Sequence, residues 1–168
     1  MHLNRLFICL IMTLSAFTGA FAGSLPPSKG KPILTISGNI ENTNNGATAE
    51  FDRASLEAIG LKTVQTANPW FDGRTSFEGI PLQRLMTLVG AKGQSVMAVA
   101  LNDYVTTIPI TDFMKFNVIL ALKREGNYMA VRDKGPLFII YPYDSDPQLQ
   151  SQTYYARSAW QVAKLIVE

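Results

Sequence analysis

Apolar positions along the chain fall into short runs whose period changes from segment to segment. "ILTISGNI" (33–40) is rich in β-branched residues and predicts a strand. "ENTNNG" (41–46) has turn composition, and "ATAEF" behind it predicts a second, short strand. The period then lengthens. In "FDRASLEAIG" (51–60) Leu56 and Ile59 share a helical face, Asp52 stands at the cap and Gly60 at the stop. "LKTVQT" (61–66) alternates and predicts a strand that runs into a loop. "IPLQRLMTLVG" (80–90) predicts a second helix, with Pro81 in its first turn, a stripe of Leu82, Leu85, Met86 and Val89, and Gly90 at its end. "SVMAVAL" (95–101) is nearly all apolar and predicts a strand buried on both faces. Asn102-Asp103 turns the chain into "YVTTIPI" (104–110), another strand. "VILALKREGNYMAVR" (118–132) predicts a hairpin turning at Glu125-Gly126. "PLFIIYPY" (136–143) and "AWQVAKLIV" (159–167) predict two more strands. Many strands with a few short helices indicate an α+β domain built on a mixed sheet.

The first 22 residues stand apart from this pattern. A basic Arg5, an apolar run from Leu6 to about Ala16 and the small-residue triplet Ala20-Phe21-Ala22 predict a cleaved secretory signal peptide. The apolar run is shorter than the ~20 residues of a membrane span. "SLPPSKGKP" (24–32) predicts an extended, mobile leader over 23–32, and 33–168 is left as one domain. Hydrophobic residues make up 47% of the chain, enough for a sizeable core, and the net charge of +2 gives no sign of a nucleic-acid partner.

Cleavage changes the available chemistry. The only cysteine, Cys9, and the only histidine, His2, lie in the signal segment. The expected mature chain has no thiol and no imidazole, which excludes disulfides, cysteine nucleophiles, Ser-His-Asp triads and metal sites built on His or Cys. An exported chain without disulfides fits a bacterial periplasm. Seven carboxylates (Asp72, Glu78, Asp103, Asp112, Asp133, Asp144, Asp146) show no spacing that singles out an acid/base pair. "YPYDSDPQ" (141–148) lacks the glycine and closing glutamate of a calcium loop.

Candidate ligand contacts come from three segments. "TANPWFDG" (66–73) has turn dipeptides at both ends, yet Trp70 and Phe71 lie between them. Those rings either plug the core under the loop or face a ligand beside Asn68 and Pro69. Asp103 and Tyr104 open a strand, and Arg132, Asp133 and Lys134 form a charged loop. Tyr141, Tyr143, Tyr154, Tyr155 and Trp160 read as core or rim.

Taken in order, "FEGIPLQRLMTLVGA", "ALNDYVTTIPI", "VILALKREGNYMAVRDKGPLFIIYP" and "SAWQVAKLIV" resemble the molybdopterin-binding domain of the sulfite oxidase family over about residues 33–167. The resemblance implies a mixed, barrel-like sheet with a few short helices. It also implies that Thr66 stands at the position of the family's molybdenum-ligating cysteine, that Tyr104 matches its active-site tyrosine, and that Arg132 matches an Arg-Asp-x-Gly loop. Lys134 stands where a histidine is common, and Leu137 and Phe138 stand where the family carries a cofactor-holding arginine. A threonine hydroxyl is a poor substitute for a thiolate on a soft metal.

The chain is thus similar to the cysteine-less, exported members of this superfamily. That likeness implies a non-catalytic pterin-binding protein that regulates a membrane-bound, cyclic-di-GMP-metabolising partner through its periplasmic domain. The alternative is a molybdenum cofactor-dependent oxidoreductase with oxygen ligation, and a third reading is an interaction protein that lost its pocket. On the first reading the implied ligand set is Thr66, Asn68, Pro69, Trp70, Phe71, Asp103, Tyr104, Arg132, Asp133 and Lys134, with a pterin as ligand and no metal. A pterin is flat and hydrogen-bonding, so it needs a ring to stack on and amides or carboxylates to accept its N–H groups.

Overall fold

The computed structural model describes residues 23–168. The expected signal segment lies outside the described residues. Ten strands form two sheets, and four short helices cover them. The first sheet takes β1 (Leu34–Gly38), β2 (Ala49–Phe51), β5 (Ser95–Ala100), β6 (Val105–Pro109) and β10 (Val162–Val167), in the order β2-β1-β10-β5-β6. β1 and β10 run parallel, and every other pair in this sheet is antiparallel, so the sheet is mixed. The second sheet takes β3 (Lys62–Asn68), β4 (Phe71–Pro81), β7 (Ile119–Arg124) and β8 (Asn127–Tyr128) in that order, with β9 (Phe138–Ile140) also pairing β7. All its pairs are antiparallel. The architecture is therefore mixed α+β, but the two sheets do not close into the barrel that the resemblance implied.

The apolar runs explain the packing. Leu120 and Leu122 of β7 join one core cluster, whereas Ile119 and Ala121 join a second. Ile139 of β9 likewise faces the first cluster, and Phe138 and Ile140 the second. These strands are buried on both faces, as their unbroken hydrophobicity requires. β5 differs from expectation. Val96, Ala98 and Ala100 are buried, but Ser95, Met97 and Val99 are only half covered, because just one face of the sheet meets the core there.

α1 (Arg53–Ala58) starts at Asp52, whose carboxylate accepts the N–H of Ser55 at 2.7 Å and that of Gly30 in the leader. α2 (Leu82–Leu88) buries Leu82, Leu85 and Met86. Pro81 ends β4 and occupies the cap position of α2 rather than its first turn. α3 (Ile110–Lys115) and α4 (Gln152–Arg157) were not visible in the sequence pattern; they are as short as α1 but lack the side-chain N-cap and the following glycine that marked it. β4 was also missed. The expected loop after Thr66 is instead a long hairpin, with Asn68 paired to Phe71 across its turn. The leader is extended and lies along the body: Leu25 is buried and its N–H reaches the Thr43 carbonyl at 3.0 Å. No helix among the described residues is long and apolar enough to cross a membrane.

Candidate functional site

The hairpin tip sets the first wall of the site. The Asn68 side-chain oxygen accepts the N–H groups of Trp70 and Phe71, each at 3.1 Å, and its amide donates to the Thr75 hydroxyl at 3.2 Å. This side-chain-closed turn holds the two rings in place while Pro69 stays exposed. Trp70 is half-buried and packs against both core clusters. Four rings surround it: Phe138 at 5.1 Å between centroids, Tyr143 and Trp160 at 6.0 Å, and Tyr155 at 6.1 Å. All meet it at 63–78°, so none lies flat on the indole. Phe71 turns the other way, onto Phe77, with the Arg124 guanidinium 4.1 Å above its ring.

α4 and the β5–β6 turn form the opposite wall. α4 is tied to the body by buried polar groups. Asp112 accepts from the Tyr141 hydroxyl and from Arg157, both at 2.8 Å. The Tyr143 and Ser158 hydroxyls are hydrogen-bonded, and Ser158 donates onward to the Tyr154 carbonyl at 2.8 Å. Burial pushes both tyrosine hydroxyls, Tyr141 and Tyr143, far above the ordinary phenol range, so they act as neutral donors. Tyr104, just before β6, donates to the Ala156 carbonyl at 2.8 Å and joins the turn to α4.

Between these walls lies a cleft of about 280 Å³. Trp70, Tyr104, Tyr155 and Trp160 supply its aromatic surface, and Asn102 and Gln152 supply side-chain amides. Ala156 and Ser158 complete it. The volume is close to the lower end of the roughly 300–1,000 Å³ of small-molecule sites. No lining residue carries a charge. Outside the lining, the Lys134 ammonium sits 3.8 Å over the Trp160 ring. Burial, and then the charge of Arg124, hold its pKa below that of an ordinary lysine.

The predicted residues separate into groups. Trp70 and Tyr104 line the cleft, Asn68 shapes the turn that carries Trp70, and Lys134 caps the second tryptophan. Asp103 is exposed in the β5–β6 turn between Asn102 and Tyr104. Pro69 and Phe71 stay on the hairpin without entering the lining. Arg132 and Asp133 are exposed, and their charged groups lie 3.6 Å apart. Thr66 is fully buried; its hydroxyl donates to the Ala67 carbonyl at 3.0 Å and accepts the Asp144 N–H at 3.1 Å.

Sequence reasoning did not assign Asn102, Gln152, Tyr155, Ala156, Ser158 or Trp160 to the site. The clustered aromatics at 154, 155 and 160 were the available signal, but the helix that presents Tyr155 has no side-chain cap or closing glycine to mark it. The alternating acids of 141–148 have structural roles. Asp144 bonds the Ala67 N–H and pairs with Arg74 at 3.1 Å, and Asp146 caps the 3-10 turn Pro147–Leu149. Among the described residues no group of three or more His, Cys, Asp or Glu is gathered as a metal site. Comparison with family models and with curated proteins gives no match for this chain.

Proposed function

We propose that this chain is an exported, non-catalytic pterin-binding protein of sulfite oxidase-type fold. It acts in the periplasm on a membrane-bound enzyme that makes or degrades cyclic-di-GMP. The observation that carries the ligand assignment is the uncharged aromatic cleft between Trp70, Tyr104, Tyr155 and Trp160. A planar bicycle can lie flat on Trp70, where no protein ring does so, and the amides of Asn102 and Gln152 can accept its N–H groups and donate to its carbonyl. The partner assignment rests on the sequence resemblance alone.

The donor chemistry argues against the oxidoreductase alternative. Thr66, at the family's metal-ligating position, has its hydroxyl committed to two backbone groups and offers no thiolate. Leu137 and Phe138, at the family's arginine position, are fully buried in the core and offer no cation to an anionic cofactor. The residues present do not fit a molybdenum cofactor.

Titration of the purified protein with neopterin tests the proposal. Saturable quenching of tryptophan fluorescence with one site per chain is expected. Absence of quenching and of heat with neopterin and with monapterin overturns it. Mass spectrometry of small molecules released from the natively purified protein identifies the pterin.

A further inference from the structure

A second concavity lies between the leader arm and α1, built by other elements than the aromatic cleft. Its volume is about 550 Å³. Its walls are mostly hydrocarbon: Leu25 and Pro26 from the arm, Phe51 from β2, Ala58 of α1, Ile59 just after it, and Leu88 of α2. Two cations, Lys29 and Arg84, border it, and neither forms an ion pair among the described residues. Arg84 spends one N–H on the Ile59 carbonyl at 2.9 Å, which leaves most of its five donors for another acceptor. The one carboxylate in the lining, Asp52, is already engaged by the N–H groups of Ser55 and Gly30. The arm that forms the outer wall is anchored by the Leu25 N–H on Thr43, by the Asn44 amide on the Pro26 carbonyl, and by Gly30 on Asp52.

An apolar trough with unpaired positive charge at its border matches a molecule with a hydrocarbon body and a negative head. We propose that this groove binds a free single-chain fatty carboxylate, with the chain along the arm and α1 and the carboxylate at Lys29 and Arg84. The site is independent of the pterin reading and survives its failure.

Calorimetric titration with octanoate, nonanoate and decanoate, all below micellar concentration, tests it. One site per chain is expected, with affinity rising about fourfold per added methylene, the factor that corresponds to burying one CH₂. The double variant Lys29→Gln/Arg84→Gln, both exposed positions, should weaken decanoate about fivefold, the yield of two exposed charge contacts. It should leave decanol unchanged. Ala58→Trp, which fills the trough, should abolish both, and the Gln variant keeps the test valid if the Trp variant misfolds. Amide shifts on adding decanoate should fall on Ala54, Ala58 and Ile59. No binding of decanoate, equal binding of decyltrimethylammonium, affinity independent of chain length, shifts confined to Tyr155 and Trp160, or association with phosphatidylglycerol vesicles in place of free decanoate would each overturn it.

Discussion

Replacing Trp70 by alanine probes fold and site together. A buried Trp→Ala change costs ~3–5 kcal/mol. Trp70 is half-buried, so the lower part of that range is the starting point. The lost edge-to-face contacts with Phe138, Tyr143, Tyr155 and Trp160 are worth ~0.5–1.5 kcal/mol each in isolation. They share one indole and do not add, and the neighbouring rings can relax into the space. A loss of about 3 kcal/mol follows, which for a domain of this size is a fall in Tm of about 9 °C. Urea denaturation followed by circular dichroism measures it. On the ligand side, a lost flat stack of ~1 kcal/mol predicts about fivefold weaker neopterin binding. Calorimetry must report this, since the variant removes a fluorophore. Trp70→Phe should recover part of both quantities. A stability loss below about 1 kcal/mol would refute the packing account. Full destabilisation with unchanged neopterin affinity would refute the site and favour a purely structural Trp70.

Asp112→Ala should cost about 3 kcal/mol in urea denaturation, because it strands the partly buried Arg157 guanidinium and the Tyr141 hydroxyl; Asp112→Asn, which keeps an acceptor, should cost less. The Asp52 carboxyl is held well below the usual carboxylate range by the Ser55 N–H and then the Gly30 N–H. A depressed folded pKa contributes stability that is present above the unfolded pKa of about 3.9 and lost as pH falls towards the folded value. The stability difference between wild type and Asp52→Asn should therefore be constant near neutrality and shrink as the pH drops below about 4. Gly79→Ala places a Cβ within 2.2 Å of the Leu120 carbonyl oxygen and 2.5 Å of the Ala121 Cα, both backbone, where β4 meets β7. A cost of about 2 kcal/mol or more in Tm-based measurements is expected.

Where a segment's local chemistry agreed with its tertiary setting, the sequence was legible. Asp52 capping α1, the stripe of α2 and the Glu125-Gly126 turn, with positive φ at both residues, follow from short-range rules. β4 was hidden because its outer half, "FDGRTS", carries turn-forming and charged residues and is held as strand by pairing with β3. The site was half legible for a related reason. Trp70 and Tyr104 stood out as aromatics beside turn residues, whereas Tyr155 and Gln152 reach the cleft through α4. That helix is positioned by the Arg157–Asp112 contact across 45 residues of chain, and no local pattern reports it. Thr66 was singled out by its place in a motif, and that place is occupied by a hydroxyl which stitches β3 to the 3-10 turn at Tyr143–Ser145.

Trp70 packs against both hydrophobic clusters at once, and no other residue is shared between them among the described residues. Whatever seats against its indole presses on the seam between two packing units rather than on one wall. A molecule that binds there only in the folded state would raise the melting point of the domain by mass action. On the proposed pterin reading, the ligand gauge and the keystone are the same residue.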